Sequence, residues 1–397
     1  MAVINKIILR YQIDSLWNLK IKKEKEMDKK HWVMDYETLY DCFTGVFENY
    51  KTTETKIFVI SRLRNDLTEF ISFLQENINK KEWHISYNGL AFDAQITHYI
   101  LDNERKWVDL NGHKTAHIIY QYAQQCIQRS NNKEFSDYPQ WKMQIGQIDL
   151  FKMHHWDNPA KRSSLKWIQY SMDWQNILDM PIHHETKIAS KEDLDTILEY
   201  CINDVKSTKE IYNRSKSQVG LRKELTMTYG IDMFSASEPR ISKEIFGYYL
   251  SRNLNIPKRD LKQLRTYRDT IKIKDIILPY ISFTSQEFKT LFQRFASLEV
   301  NAASLKGSFK YHIKYKGVET HFGLGGAHGA IKKGIYEPDD DMMIMSSDVT
   351  SFYPNLAIKN KWSPGHFPKE EFCDQYEWFF EERKKIPKSN PMNYVYK

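Results

Sequence analysis

The chain has 397 residues, of which 41% are hydrophobic and 27% charged, a composition typical of a folded globular protein. The formal net charge of +7 permits a polyanionic partner without requiring one. No apolar run approaches the roughly 20 residues needed to cross a bilayer, and the amino-terminal residues lack the apolar core of a signal peptide. We therefore expect two or three domains in a soluble, cytoplasmic protein with no membrane partner.

Four cysteines and two histidine pairs are the residues that could suggest a disulfide or a metal site. The cysteines are scattered without a Cys-x-x-Cys pair: Cys42, Cys126, Cys201 and Cys373. This pattern argues against a disulfide scaffold or a zinc ribbon and suits a reducing compartment. The histidine pairs are His154–His155 and His183–His184. Because no cysteine or third ligand accompanies them, we interpret them as surface or interior histidines.

The first half of the chain predicts a mixed α/β domain. Residues 1–30 end in a charge run, IKKEKEMDKK, that we interpret as a solvated segment. Three short apolar segments, HWVMDYET, GVFENY and KIFVI, predict an antiparallel meander. A helix pattern (LTEFISFLQENI), a fourth strand (EWHISYNG) and a second helix (FDAQITHYIL) follow. Strands that lead into a helix–strand alternation indicate a mixed sheet.

The second half begins with the clearest helix pattern, at residues 190–214, where Ser190 followed by Asp193 indicates the helix start. We expect residues 215–320 to be mostly helical, with a basic patch at 258–275. The segments IKKGIYE and MMIMSSDV then predict two strands. Between them, the three aspartates 339–341 favour a solvated hairpin turn over a metal site.

Acidic residues at the ends of predicted elements form the first candidate site. Asp35 and Glu37 are two apart on a predicted strand and so share a face, although a strand edge meeting solvent is the alternative. Asp93 lies in the first turn of a predicted helix, where a charge favoured by the helix dipole is the alternative. Asp204 and Tyr200 are one turn apart on the clearest helix, and a capped or salt-bridged Asp is the alternative.

Together these residues have the order Asp-x-Glu, Asn-x-x-x-Phe-Asp and Tyr-x-x-x-Asp. Oxygen ligands of this kind suit Mg²⁺ or Mn²⁺. Four carboxylates can hold two such ions roughly 3.5–4 Å apart, which is the arrangement for in-line hydrolysis of a phosphodiester.

The three segments resemble the motifs of the DEDD proofreading 3′–5′ exonucleases, in the subtype that uses a tyrosine. The resemblance implies an RNase H-like fold for residues 31–215 and two metal ions held by the four carboxylates. It implies that Tyr200 helps to place the attacking water, and that Asn88 and Phe92 contact the single-stranded 3′ end. Lys166, in Ser-Leu-Lys, resembles a lysine that touches phosphate in some members, with a solvated lysine as the alternative. We interpret Asp149 as structural or as a support for the ligands.

The segment DVTSFYPN, at residues 348–355, resembles motif A of family B DNA polymerases. We expect Asp348 at the end of a short strand, followed by a tight turn closed by Tyr-Pro. The resemblance implies that Asp348 binds the catalytic Mg²⁺ pair, that Val349 offers its backbone carbonyl, and that Tyr353 stacks under the incoming sugar. An exonuclease set before motif A is the order found in that family, and the early Asp-x-Glu motif is similar to the compact polymerases of phages and linear plasmids.

A glycine segment precedes motif A. Its Gly325 and Gly326 resemble part of a Tyr-x-Gly-Gly/Ala segment that contacts template between the two domains, but Gly323 stands where that motif has Tyr. A strand-connecting turn is an equal alternative. The segment lacks the Gly-Lys-Ser/Thr of a P-loop.

The family's later motifs, a Lys-x-x-x-Asn-Ser-x-Tyr-Gly helix and a Tyr-x-Asp-Thr-Asp hairpin, do not occur, although Lys397 is a candidate first residue of the former. We therefore expect a 1–30 segment, an exonuclease domain at 31–215, a helical connection at 216–320 and a partial α+β palm at 321–397. The expected partners are single-stranded and primer-template DNA, with a terminal protein as a further candidate and dNTP only in the complete enzyme. The alternatives are a non-catalytic half that docks to a second polypeptide carrying the missing motifs, and a stand-alone exonuclease.

Overall fold

The computed structural model describes residues 31–107, 109–160, 162–301, 310–323 and 326–396, so the predicted 1–30 segment, Gly325 and Lys397 lie outside the described residues. The described residues form two compact units. One contains those up to Tyr249 and those from Trp378 onward, and the other is Leu250–Glu377. Both helices and strands occur in each unit, so the predicted mixed α/β class is confirmed.

The first unit is built on a five-stranded sheet in the order β3-β2-β1-β4-β5. Its strands are β1 (His31–Leu39), β2 (Cys42–Asn49), β3 (Thr55–Ile60), β4 (Trp83–Ser86) and β5 (Gly146–Asp149). The first three are antiparallel, which confirms the predicted meander, whereas β4 and β5 continue the sheet in parallel with β1. Strand β1 therefore lies in the middle of the sheet with a neighbour on each side.

Eleven α-helices occur in the described part of the chain. They are α1 (Leu67–Lys80), α2 (Asp93–Trp107), α3 (Gly112–Asn132), α4 (Leu150–Met153), α5 (Leu165–Ser171), α6 (Lys191–Arg214), α7 (Lys216–Tyr229), α8 (Glu238–Asn253), α9 (Gln286–Ala296), α10 (Phe352–Lys359) and α11 (Lys369–Lys385). The predicted helix start at Ser190 is confirmed, because Ser190 and Asp193 form a reciprocal capping box.

Helices cover both faces of the sheet. On one face, aromatic and aliphatic side chains of β1 and β2 pack with those of α1, α2 and α3, including Phe47, Phe70 and Ile96. On the other face, Val33 and Val46 pack with Cys201 and Val205 of α6 and with residues of β5. The alternation of side chains along β1 therefore divides its residues between two separate cores.

A third hydrophobic cluster joins α7 and α8 to the residues after Trp378. It contains Leu225, Ile245, Phe379 and Val395 among its buried members. For this reason the division into units falls after Tyr249 and before Trp378, and not at the functional boundaries 215/216 and 320/321 expected from the sequence. The assignment of functional domains to those four segments stays a prediction.

The second unit contains more strand than expected. Strands β6 (Thr270–Lys272) and β7 (Glu299–Asn301) pair with each other. Strands β8 (Tyr311–Tyr315), β9 (Val318–Gly323) and β10 (Gly326–Ala330) form an antiparallel three-stranded sheet. The prediction that 215–320 is mostly helical is therefore wrong beyond Asn253, where α9 is the one α-helix in the described residues of that range. These pairings could not be predicted from the sequence, because a strand needs a neighbour that is distant along the chain.

The two strands predicted at 331–337 and 342–349 are absent, since the structure describes all of these residues and none belongs to a β-ladder. Met342 to Met345 are exposed, so their apolar run does not pack into a sheet. The turn between them is present: the Asp339 carboxylate accepts hydrogen bonds from the N–H groups of Asp341 at 3.0 Å and Met342 at 2.8 Å. Among the described residues, no helix has the length and apolar character needed to cross a membrane.

Candidate active site

The Asp-x-Glu pair lies on the central strand β1, with Asp35 opposite Val46 and Glu37 opposite Thr44 of β2. The intervening Tyr36 packs in the first hydrophobic core on the other face, and its hydroxyl lies 2.8 Å from Thr97 Oγ1. Asp35 and Glu37 therefore share a face, as the sequence predicted, and this face is the one that packs against α6. The strand β1 pairs with β4 only through His31–Val33, so Asp35 and Glu37 lie where β1 extends past β4. Both are half-buried on the face that packs against α6, so the alternative of a strand edge in solvent does not describe them.

Asp93 is the first residue of α2, and only 3% of its surface is exposed. Its Oδ1 atom has no hydrogen-bond partner among the described residues. Burying a carboxylate oxygen without a donor is costly, so an atom of this kind favours a cation beside it. A helix-dipole charge alone does not require such burial.

The loop before Asp93 is held by Asp149, the last residue of β5. The Asp149 carboxylate accepts hydrogen bonds from the backbone N–H groups of Asn88 at 3.0 Å and Leu90 at 3.1 Å. It also caps α4 by accepting from the N–H of Lys152. Asn88 has a left-handed backbone conformation with φ of 67°, which this pair of hydrogen bonds stabilises. The expectation that Asp149 is structural agrees with these contacts.

Asp204 comes from α6, one turn after Tyr200. The buried Gln169 of α5 donates to Asp204 Oδ1 at 2.8 Å. Gln169 Nε2 also donates to Ser207 Oγ at 2.8 Å, one turn further along α6. Asp204 is thus held by a side chain from a second helix, lies within α6 and not at its cap, and forms no salt bridge with a described residue.

The four carboxylates affect one another electrostatically. Burial, followed by repulsion from Asp204 and Asp93, raises the pKa of Glu37 to about 8. Burial also raises the pKa of Asp93 to about 7 and is the main reason that the pKa of Asp35 lies well above its usual range. The ligand atoms of Asp35 and Glu37 lie within 4.8 Å of each other, so the two carboxylates repel each other when both are ionised. A divalent cation beside them would offset this repulsion and lower all of these pKa values.

One donor in this cluster was not predicted from the sequence. The donor atoms of Asp35, Glu37 and Cys201 all lie within 4.8 Å of one another. The Cys201 thiol contacts the backbone carbonyl of Asp35 at 3.4 Å, and burial raises its pKa well above the usual range. It therefore stays a neutral thiol and does not contribute the oxygen ligand that Mg²⁺ prefers. In the sequence, the only indication that Cys201 belongs to this cluster was its position next to Tyr200 on the apolar face of α6.

Gln169 was also not predicted, because nothing in the sequence distinguishes a buried glutamine from a solvated one.

Lys166 is the predicted phosphate-binding lysine, and its Nζ lies 5.1 Å from the centroid of the Tyr200 ring. It donates to the carbonyl of Leu178 and lies 3.2 Å from an Asp179 carboxylate oxygen. The alternative of a purely solvated lysine therefore does not describe it, while its contact with phosphate stays a prediction.

The two residues predicted to contact the DNA end differ in their surroundings. Phe92 is half-buried and packs against the first hydrophobic core. Asn88 lines an open cavity of about 640 Å³, whose other lining residues are Tyr87, Phe151, Arg162, Ser163, Ser164 and Trp167. One side of the cavity is therefore formed by the loop of Asn88, and this loop is followed along the chain by Asp93.

The motif A segment is arranged differently from the expectation. Asp348 is exposed and does not follow a strand, so the predicted strand-and-turn geometry is wrong. Tyr353 lies in the first turn of α10, where a following proline is tolerated because the N–H groups of the first turn have no partner within the helix. Val349 and Tyr353 are also exposed. Among the described residues, no group of three or more potential metal ligands includes Asp348.

The remaining candidates have simple environments. Gly326 begins β10 and pairs with Gly323 of β9, whereas Gly325 lies outside the described residues. The histidine pairs contact ordinary partners, such as Ser215 Oγ for His154 at 2.7 Å and Tyr120 for His184 at 3.0 Å. All four cysteines are buried free thiols.

No protein-family model matches this sequence, and a search of curated proteins finds no match to it.

Proposed function

We propose that this chain cleaves DNA from the 3′ end by metal-dependent phosphodiester hydrolysis, as the proofreading portion of a family B DNA polymerase. The observation that carries the proposal is the cluster of Asp35, Glu37, Asp93 and Asp204. Three distant segments supply these carboxylates, whose pKa values are all raised, and Asp93 Oδ1 has no hydrogen-bond partner among the described residues. Asp93 and Asp204 are buried and Asp35 and Glu37 are half-buried, so a bound cation would offset a substantial electrostatic cost.

The four carboxylates would hold two Mg²⁺ or Mn²⁺ ions, which supply an activated water and neutralise charge on the phosphate. Burial and the Asp204 carboxylate raise the pKa of Tyr200, so its phenol keeps its proton and can orient a water molecule by hydrogen bonding. Gln169 fixes the Asp204 carboxylate, and Asp149 fixes the loop of Asn88. The DNA end would approach along the cavity beside Asn88.

We also propose that residues 31–215 form an RNase H-like fold. The support is the mixed sheet, in which an antiparallel meander continues through β1 into parallel strands, with helices on both faces. Asp35 and Glu37 on the central strand agree with this proposal, because a central strand is the most rigid position for a site.

For the polymerase activity, we propose that this chain does not extend primers. Two-metal nucleotidyl transfer needs a second carboxylate beside Asp348, and no such cluster occurs among the described residues. Primer-template DNA and dNTP would then be partners of the complete enzyme only, with Asp348, Val349 and Tyr353 joined by residues of a second polypeptide or a further segment. The exposure of all three favours this arrangement over a stand-alone exonuclease.

The test is cleavage of a 5′-labelled single strand by the purified 397-residue chain with Mg²⁺ or Mn²⁺. Asp35→Asn and Asp93→Asn should each reduce the cleavage rate by at least 100-fold, and EDTA should abolish cleavage. Asp348→Asn is the matched control and should cleave at the parental rate, since Asp348 is exposed and outside the cluster.

Equal cleavage by the parent and Asp35→Asn would refute the proposed site. DNA binding without cleavage by the parent would instead support a non-catalytic half of a split enzyme. Extension of a primer by this chain would refute the proposal for the palm. Binding should weaken steeply with salt if lysine and arginine displace counterions from DNA.

A further inference from the structure

Helix α5 connects the carboxylate cluster to the protein surface. On its inner side, Gln169 is fully buried and donates to Asp204. On its outer side, Trp167 is 59% exposed and Tyr170 is 67% exposed. A single short helix therefore carries a support of the candidate active site and two large aromatic side chains that face solvent.

The two aromatic side chains stack on each other. The ring centroids of Trp167 and Tyr170 are 5.8 Å apart, and their planes differ by 30°. Trp167 also lines the cavity of about 640 Å³ that begins at Asn88. The aromatic pair thus borders, through Trp167, the cavity beside Asn88 along which the proposed function places the DNA end.

The charge near this surface suits a nucleic acid. Arg162 lines the same cavity and is exposed, so its guanidinium is available to a phosphodiester group. Ser163 and Ser164 add polar groups to the lining, and none of the described lining residues is acidic. A cation beside exposed aromatic rings is the combination that binds single strands, because bases stack on the rings and the cation neutralises the backbone.

We propose that Trp167 and Tyr170 form a stacking platform for a base of single-stranded DNA, upstream of the nucleotide that is cleaved, with Arg162 binding a neighbouring phosphate. This inference rests on the proposed function for the location of the cleaved end. Stacking uses the face that every base has, so the platform accepts any sequence. Oligonucleotides long enough to reach the platform bind more tightly than a dinucleotide.

Binding is measured in an Asp35→Asn background, so that the DNA stays intact, by fluorescence anisotropy of labelled oligo(dT) with Mg²⁺. Replacing Trp167 and Tyr170 together by Ala should weaken binding about tenfold or more. Trp167→Phe should retain most of the affinity, because a flat ring remains. Trp141→Ala is the matched control: Trp141 is 80% exposed on the same unit, lies outside the cavity, and should have no effect.

Arg162→Ala should reduce the slope of log affinity against log salt concentration by about one, the value for one lost phosphate contact. The aromatic variants should leave that slope unchanged. Thermal unfolding of each variant checks that it is folded. Unchanged affinity in the folded double variant would overturn the platform, as would an equal loss in Trp141→Ala.

A second substrate separates this proposal from the proposed function. The p-nitrophenyl ester of thymidine 5′-monophosphate occupies only the cleavage position and cannot reach the platform. The double variant should cleave this ester at the parental rate while its KM for oligonucleotides rises. If the parent cleaves neither substrate but the double variant still loses affinity for DNA, the platform stands and the nuclease proposal fails. If both proteins cleave both substrates with equal KM, the nuclease stands and the platform fails.

Discussion

Replacement of Glu37 by Gln tests the electrostatic cost of the carboxylate cluster directly. The pKa of Glu37 rises from 4.5 to about 8 because the folded protein buries the group beside Asp204 and Asp93. The folded state therefore binds more protons than the unfolded state between these two pH values, and stability falls as pH rises through that window. Below about pH 4.5 Glu37 does not destabilise the folded state in this way, and above about pH 8 the destabilisation is fully present.

The pKa difference gives the magnitude. A rise of about 3.5 in pKa corresponds to roughly 5 kcal/mol at 1.36 kcal/mol per pH unit. Because Glu37 keeps some contact with solvent and its neighbours share the repulsion, we expect about half of this, roughly 2–3 kcal/mol. Glutamine has nearly the same shape and no charge, so Glu37→Gln should be more stable than the parent by that amount at pH 8.5. The midpoint of thermal unfolding should rise by roughly 5–10 °C.

The assay is thermal unfolding followed by circular dichroism at pH 5 and pH 8.5, with EDTA and with Mg²⁺. Glu199→Gln is the matched control, since Glu199 is exposed in the interior of α6 and the variant should behave like the parent at both pH values. Mg²⁺ should stabilise the parent at pH 8.5 and stabilise Glu37→Gln less. If Glu37→Gln is no more stable than the parent at pH 8.5 in EDTA, or gains the same stability at pH 5, the electrostatic explanation is wrong.

Three further substitutions test the elements that hold the site. Asp149→Ala should lower the free energy of unfolding in urea by about 2–4 kcal/mol, because three backbone N–H groups lose their acceptor; a loss below 0.5 kcal/mol would contradict this role. Ser190→Ala removes half of the capping box of α6 and should cost about 1 kcal/mol in the same assay, so an unchanged urea midpoint would show that the cap contributes nothing. Gly146→Ala should destabilise by roughly 1–3 kcal/mol, because its Cβ would lie 2.3 Å from the Trp83 ring. Gly220→Ala, in the open on α7, is its control and should be neutral or slightly stabilising in urea unfolding.

The regions that the sequence predicted well are those with a local physical signal. Strand β1 alternates between apolar and polar residues, so the shared face of Asp35 and Glu37 followed from a period of two. Helix α6 has both an apolar face and a capping box, and its start was correct to the residue. In each case the residues that determine the element lie within a few positions of one another along the chain, and burial of the apolar residues then stabilises the element.

The errors arise where structure depends on distant partners. The apolar run at 342–345 has the composition of a strand but pairs with no described neighbour, so composition alone misled the prediction around Asp348. The contacts of Phe379 and Val395 with α7 and α8 connect residues more than a hundred positions apart, which no periodicity reveals. Gln169 and Cys201 acquire their roles only when α5 and α6 pack beside β1.

The position of Asp35 and Glu37 on a strand with a hydrophobic core on each face has a consequence for how this gene can vary. Deleting one codon early in β1 would exchange the two faces of the strand, so that Tyr36 and Met34 would point toward α6 while both acids entered the aromatic core. Such a frame-preserving deletion would remove the candidate site and the fold together, whereas point substitutions at the acids leave the core intact. Library selection for folded protein alone would therefore tolerate changes of identity at residues 35 and 37 but reject changes of length between residues 31 and 39.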